Sequence, residues 1–103
     1  CDKCVRSNCC AEYSDCYATD PGNQCGYGGP NSDGEFFCYQ SCLVNAFTKN
    51  GSLEDSDSEI CANTCATTKD LKGSQECGSV LGTATSELIA CVADGCSTEC
   101  YGG

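Results

Sequence analysis

The 103 residues include 14 cysteines but only 14 leucine, isoleucine, valine and phenylalanine residues, which are too few for an ordinary core. We therefore expect one domain over residues 1–103 that is stabilised by disulfides. Fifteen acidic against five basic residues give a net charge of −10, which excludes nucleic acid as a partner because binding nucleic acid requires a basic surface. No apolar run is long enough to cross a membrane, so we expect no transmembrane segment.

The first half of the chain has helical spacing on both sides of a loop. Cysteine and apolar residues recur at intervals of three and four over residues 2–18, which predicts a first helix ended by the sequence TDPGN. Residues 20–34 hold both prolines and five glycines, so we predict a loop that Cys25 holds at its middle. A second helix is predicted over residues 35–50, and Gly51 marks its end.

The second half predicts two more helices and a second loop. An acidic stretch precedes a third helix, which should begin near Asp57. Residues 72–82 are predicted to be a flexible loop held by Cys77, and a fourth helix follows over residues 85–94 with at most one further turn in the tail. Since no segment alternates apolar and polar residues, the predicted class is all-α: a small disulfide-rich bundle of about four short helices with long glycine-rich loops.

The motif C-x3-C places two sulfurs on one face of a helix, one turn apart. Two such helices that lie antiparallel can be joined by two disulfides, which predicts the pairs Cys38–Cys65 and Cys42–Cys61. The three copies of the motif are Cys38/Cys42, Cys61/Cys65 and Cys96/Cys100.

The even number of cysteines favours seven disulfides, but 14 cysteines allow on the order of 10⁵ pairings. Adjacent Cys9 and Cys10 are predicted to tie the first helix to two different neighbours. We expect Cys1 to form a disulfide, within the chain or to a neighbouring subunit, rather than to carry a lipid anchor, because lipidation would leave an odd number of thiols. The other cysteines expected in disulfides are Cys4, Cys16, Cys25, Cys77, Cys91, Cys96 and Cys100.

So many disulfides predict a protein of an oxidising compartment, because reducing cytosol does not maintain them. No signal peptide is visible, so we expect the chain to be already processed. The expected location is extracellular or at the cell surface. There the acidic residues either keep the protein soluble or attract divalent cations and basic partners.

Four segments, CDKCVRSNCCAEYSDC, FFCYQSC, ICANTC and ELIACVADGCSTEC, together resemble the cysteine-rich exported proteins of myxobacteria and related bacteria. The resemblance implies a helical disulfide-rich fold at or beyond the cell surface, and it implies no activity. The twin C-x3-C helices also resemble the helical hairpins of small mitochondrial chaperones and of plant hairpin peptides.

Residues 25–42, CGYGGPNSDGEFFCYQSC, resemble the glycine-rich calcium loop and following helix of secreted phospholipases A2. In that family the helix carries the catalytic histidine, whereas this chain contains no histidine. The resemblance therefore implies no lipase activity, and the glycines are interpreted as the connection into the second helix.

Two acidic clusters are candidates for calcium, which is the one cofactor that the sequence suggests. The first resembles the middle of an EF-hand loop around Gly34, although carboxylates are missing at the first and twelfth positions. The second lies before the third helix, where the alternative role of the acidic side chains is to stabilise the first turn. The candidate ligands are Asp33, Glu35, Asp55, Asp57 and Glu59.

Other metal sites and enzyme activity are not expected. One C-x2-C motif, at Cys1 and Cys4, without histidine argues against zinc, and Val5 occupies the position of the histidine that haem attachment requires. A glycosidase pair of carboxylates needs a preformed cleft, which so few apolar residues cannot shape.

The tyrosines indicate either an interface or packing over disulfides, since tyrosine is favoured at protein interfaces. Our leading hypothesis is an exported structural protein that self-associates as a subunit of an extracellular fibre or a surface layer. The alternatives are a monomeric secreted binding module, assisted by calcium, and a small inhibitor or toxin. The candidate interface residues are Tyr13, Tyr17, Tyr27 and Tyr101.

Overall fold

The computed structural model describes residues 1–19, 23–27, 34–72 and 75–101, without the side chains of residues 69–72, 75–77 and 101. The prediction of a small, disulfide-rich helical protein is confirmed. In chain order the elements are α1 (Asp2–Asn8), α2 (Cys10–Cys16), α3 (Gly34–Asn50), α4 (Asp55–Cys65), β1 (Thr68–Lys72), β2 (Gln75–Val80), α5 (Thr83–Gly95) and α6 (Ser97–Tyr101).

The segment predicted as one helix over residues 2–18 is two short helices that meet at Cys9. This residue has φ −122° and ψ 36°, outside the helical region, although its N–H still donates to the carbonyl of Val5 at 2.8 Å. Cys9 is fully buried and bonded to Cys91 on α5, and the bend lets both α1 and α2 contact α5. The spacing of the sequence continues across Cys9, so the bend is a consequence of tertiary packing.

Helices α3 and α4 form the predicted disulfide-linked hairpin. The bonds Cys38–Cys65 and Cys42–Cys61 are the two pairs that the C-x3-C spacing predicts. Helix α3 ends at Asn50, as predicted, because Gly51 adopts a left-handed φ of 77° that L-residues disfavour. The spacing of these two motifs therefore predicted the hairpin correctly.

Strands β1 and β2 form an antiparallel ribbon in which Thr68 lies opposite Val80, with a bulge between Asp70 and Leu71. The prediction of a loop over residues 72–82 is wrong, because most of this segment is strand β2. At the end of β2 whose side chains are described, residues 78–80 are exposed. Exposed strand residues need no apolar alternation, so the pattern that normally indicates strands is missing at this end of β2.

Disulfides take the place of aliphatic side chains in the core. Six of the twelve buried hydrophobic residues among those described are cysteines, and the largest fully buried apolar side chains are those of Leu88 and Val92 on α5. The buried set is Val5, Cys9, Cys16, Cys25, Phe36, Tyr39, Leu43, Cys61, Cys65, Leu88, Val92 and Cys96. No helix in the described parts of the chain is long and apolar enough to cross a bilayer.

Three disulfides form a ladder that joins the beginning of the chain to its end. Their sequence separations are 99, 92 and 82 residues, so they align α1 and α2 with α5 and α6. A fourth bond, Cys16–Cys25, closes a loop with a separation of only 9 residues. The ladder consists of Cys1–Cys100, Cys4–Cys96 and Cys9–Cys91, and the bond of Cys1 lies within the chain.

Removing the outermost rung of this ladder should cost less than its separation of 99 residues suggests. With Cys4–Cys96 intact, the bond Cys1–Cys100 closes only the two short end segments. We expect C1S/C100S to lower the free energy of unfolding by no more than roughly 3 kcal/mol, the stabilisation by a disulfide that closes a 15-residue loop. A disulfide that closes a 100-residue loop would contribute roughly 4.7 kcal/mol. Denaturant unfolding of the oxidised proteins measures the difference. A loss near the larger value would show that the inner rungs do not hold the ends together.

The prediction that both Cys9 and Cys10 form disulfides is wrong for Cys10, which is free and exposed. Adjacent residues at a helix start point about 100° apart, so the side chain of Cys10 faces solvent when that of Cys9 enters the core. Cys77 lies in β2 and its side chain is outside the described residues. The described cysteines form six disulfides, two of them with the predicted partners, whereas the even number of cysteines favours seven bonds.

Candidate functional site

Glu35, predicted as a calcium ligand, is instead a fully buried acceptor of four hydrogen bonds. Its Oε2 accepts from the N–H and the hydroxyl of Thr67, both at 2.8 Å. Its Oε1 accepts from the N–H of Gly82 at 2.9 Å and from the hydroxyl of Thr85 at 2.8 Å. Four donors saturate the carboxylate, so Glu35 joins α3 to the open end of the β-ribbon, where Thr67 precedes β1 and Gly82 follows shortly after β2, and to the start of α5.

The other calcium candidates are not assembled into a cation site by the described residues. Asp33 lies outside them. Asp55, Asp57 and Glu59 belong to the first half of α4, where Asp57 accepts a hydrogen bond at 2.9 Å from the N–H of Glu54, the residue that precedes the helix. Asp57 therefore stabilises the first turn of α4, which is the alternative to calcium binding that the sequence indicated.

Among the described residues, ligand-type atoms of three residues approach each other within 4.8 Å at Cys4, Cys96 and Glu99. The two sulfurs are bonded to each other in a disulfide, so no thiolate is available there. This grouping is therefore a consequence of the ladder and offers a metal only one carboxylate.

Three of the four predicted interface tyrosines lie together. The ring centroids of Tyr13 and Tyr17 are 4.7 Å apart, and Tyr17 meets Tyr27 edge to face at 5.6 Å. Tyr17 is half-buried. This burial is the largest cause of the raised pKa of its phenol, and the neighbouring Tyr13 is the second cause. The fourth residue, Tyr101, ends α6 and its side chain lies outside the described residues.

The short segment at residues 23–27 holds this cluster in place. The side-chain amide of Asn23 donates to the carbonyl of Ala18 at 2.7 Å, and the N–H of Gly26 donates to the carbonyl of Cys16 at 2.9 Å. The ring of Tyr17 packs directly on Gly26, where an added Cβ would lie 2.8 Å from Cε1 of the ring. A side chain at Gly26 would therefore displace Tyr17.

Beside the tyrosines lies an apolar pocket of about 280 Å³, here called the aromatic pocket. Val5 and Phe36 are buried at its base, whereas Phe37 is 56% exposed. Phe36 and Phe37 are adjacent on α3, so one ring enters the core and the other borders solvent. The pocket is lined by Cys1, Asp2, Val5, Tyr13, Tyr17, Phe36, Phe37 and Gln40.

The sequence predicted the tyrosines of this cluster but missed Asp2, Phe36 and Phe37 as neighbours. A usable signal was the pair Phe36-Phe37, because two adjacent large rings cannot both enter the core from one helix. Asp2 gave no such signal, since the contact between α1 and α3 depends on the disulfide ladder.

Comparisons of the chain with protein-family models, with curated proteins and with solved structures gave no match. The resemblance to exported cysteine-rich proteins of myxobacteria therefore stays a prediction. The free thiol of Cys10 and the aromatic pocket are both accessible from solvent and are candidates for contact with another molecule.

Proposed function

We propose that the protein is an exported structural protein that self-associates, and that its first contact is a disulfide between the Cys10 residues of two copies. The observation that supports this proposal is the state of Cys10, which is free and exposed while twelve other cysteines are paired within the chain. The six disulfides support export, because an oxidising compartment maintains such bonds. In that compartment an exposed thiol is available to a second copy.

The covalent step is a two-electron oxidation. Two Cys10 thiols lose two protons and two electrons as the new S–S bond forms. A small-molecule disulfide accepts them and is reduced to two thiols. The twelve paired cysteines take no part, so each copy keeps its own fold.

A bond between two Cys10 residues relates the copies by a twofold axis and closes as a dimer. A fibre or surface layer needs a second, different contact. Helix α3 offers one, because Phe37 and Val44 are 56% and 43% exposed and lie seven residues apart on the same face. Exposed apolar side chains that share a helix face favour association with another chain.

Oxidised glutathione should convert the purified protein into a disulfide-linked dimer of twice the 10.7 kDa chain mass. We expect the Cys10→Ser variant to stay monomeric under the same conditions, because no other described thiol is free. Cys77→Ser is the matched control and should dimerise like the parent protein. Non-reducing gels and light scattering measure the masses.

Two results would contradict the proposal. One is a parent protein that stays monomeric after oxidation with its Cys10 thiol still titratable. The other is a Cys10→Ser variant that dimerises as well as the parent.

A further inference from the structure

We propose that the aromatic pocket binds the quaternary ammonium group of a small organic cation. Four of its eight lining residues carry aromatic rings, and the ring faces are electron-rich surfaces that attract a cation. Among the residues that line it, Asp2 alone has a charged side chain. A carboxylate beside aromatic rings favours a positive ligand and disfavours an anion.

The protein already holds one of its own cations against two groups of this pocket. The guanidinium of Arg6 lies 5.6 Å from the centre of the Tyr13 ring and forms an ion pair with Asp2 at 3.2 Å. Arg6 is not part of the pocket lining, so it contacts these groups from outside. These contacts place a cation beside this ring and this carboxylate at the surface, and Arg6 competes with a ligand for both.

The chemistry of the lining distinguishes a quaternary from a primary ammonium. A primary ammonium loses hydrogen bonds to water when it enters an apolar pocket and needs several acceptors there. A quaternary ammonium has no N–H donor and exposes only methyl groups to the rings. The methyl groups of a quaternary ammonium can contact the apolar side chains of Val5 and Phe36 and the half-buried ring of Tyr17.

The volume sets the size of the ligand. At about 280 Å³ the pocket lies just below the range of about 300–1,000 Å³ that is usual for drug-sized ligands. It therefore accommodates a compact headgroup. The raised pKa of Tyr17 agrees with this environment, because burial keeps its phenol neutral.

The test compares choline with two matched probes in calorimetry and in NMR titrations of backbone amides. The first probe, 3,3-dimethyl-1-butanol, has the shape of choline without its charge, and the second, ethanolamine, has a primary ammonium. We expect choline to shift the amides around Tyr13, Tyr17 and Phe37, and to bind at least about tenfold more tightly than either probe. Equal binding of the neutral probe, or no shifts with choline up to about 50 mM, would overturn the proposal.

Variants assign the binding to the pocket. Phe37→Ala should weaken choline binding at least about fivefold, and it should fold normally because Phe37 is exposed. Arg6→Gln should strengthen binding by removing the competing cation. Ile60→Ala, an exposed apolar residue outside the pocket, is the control and should bind like the parent. A Phe37→Ala protein with unchanged affinity would place the ligand elsewhere and overturn the proposal.

The quaternary ammonium of choline also occurs in lipid headgroups. Sedimentation with phosphatidylcholine vesicles, with phosphatidylglycerol vesicles as control, distinguishes the two sources. Binding of free choline alone supports a soluble ligand, and binding of phosphatidylcholine vesicles as well supports a headgroup. Either result agrees with the proposed chemistry, and binding of neither overturns it.

Discussion

Replacing Glu35 with glutamine is expected to lower the free energy of unfolding by about 3 kcal/mol. The two oxygens of Glu35 accept from the backbone N–H groups of Thr67 and Gly82, one on each oxygen. An amide has only one oxygen, so its NH2 group must face one of these N–H groups. A hydroxyl can rotate to accept, but a backbone N–H cannot, so one partly buried N–H donor is left without a partner.

Denaturant unfolding of the oxidised protein measures this loss. Glu59→Gln is the matched control, because it makes the same chemical change at an exposed position of α4, and it should change the stability by less than about 0.5 kcal/mol. Equal stability of Glu35→Gln and the parent protein would contradict the four-donor geometry.

Replacing Gly34 with alanine is expected to destabilise the protein by at least about 3 kcal/mol. Gly34 has φ +87°, and a Cβ there would lie 2.7 Å from the backbone carbon of Gly26 and 2.9 Å from the nitrogen of Tyr27. Neither backbone atom can move alone, since the N–H groups of Glu35 and Phe36 donate to the carbonyls of residues 24 and 25. The clash therefore separates the start of α3 from the segment that holds the tyrosine cluster.

Gly51→Ala provides the control for this prediction. Gly51 also has a left-handed φ, 77°, but an added Cβ meets nothing within 4 Å. Its substitution should cost only the roughly 1–2 kcal/mol of the unfavourable backbone conformation. The difference between the two variants, again from denaturant unfolding, measures the steric part. If both variants lost the same stability, the close packing at Gly34 would be wrong.

The parts of the fold that the sequence predicted depend on local spacing. The C-x3-C repeats place two sulfurs one turn apart on one helix face, where they can bond to two sulfurs of an antiparallel helix with the same spacing. The pairs Cys38–Cys65 and Cys42–Cys61 followed from that geometry, and so did the end of α3 at Gly51. Neither required knowledge of the rest of the chain.

The parts that the sequence did not predict depend on contacts between distant segments. The bend at Cys9 results from its bond to Cys91, at a separation of 82 residues, and residue spacing cannot show it. Glu35 looked like an exposed calcium ligand because its four donors, on Thr67, Gly82 and Thr85, come from other elements. The β-ribbon was missed because its strand segments lack apolar alternation, and residues 78–80 at the end of β2 are exposed.

The candidate sites were also predicted only in part from the sequence. Tyrosine content suggested a surface for recognition, and the structure brings Tyr13, Tyr17 and Tyr27 together. From residue spacing alone, Cys9 and Cys10 are equivalent candidates for a disulfide, because only the three-dimensional structure shows which of two adjacent sulfurs faces a partner. The acidic residues of α4 could be placed in a helix start or in a cation site, and their hydrogen bonds favour the first.

A disulfide map of the oxidised protein tests most directly whether six bonds lock the chain and leave Cys10 for a second copy. Chains labelled with ¹⁴N and ¹⁵N are mixed before oxidation, digested without reduction and measured by mass spectrometry. We predict the six intrachain pairs Cys1–Cys100, Cys4–Cys96, Cys9–Cys91, Cys16–Cys25, Cys38–Cys65 and Cys42–Cys61 in singly labelled peptides. We also predict a Cys10–Cys10 linkage that contains both labels. Cys10 bonded to a cysteine of its own chain would contradict both the fold around α2 and the proposed self-association.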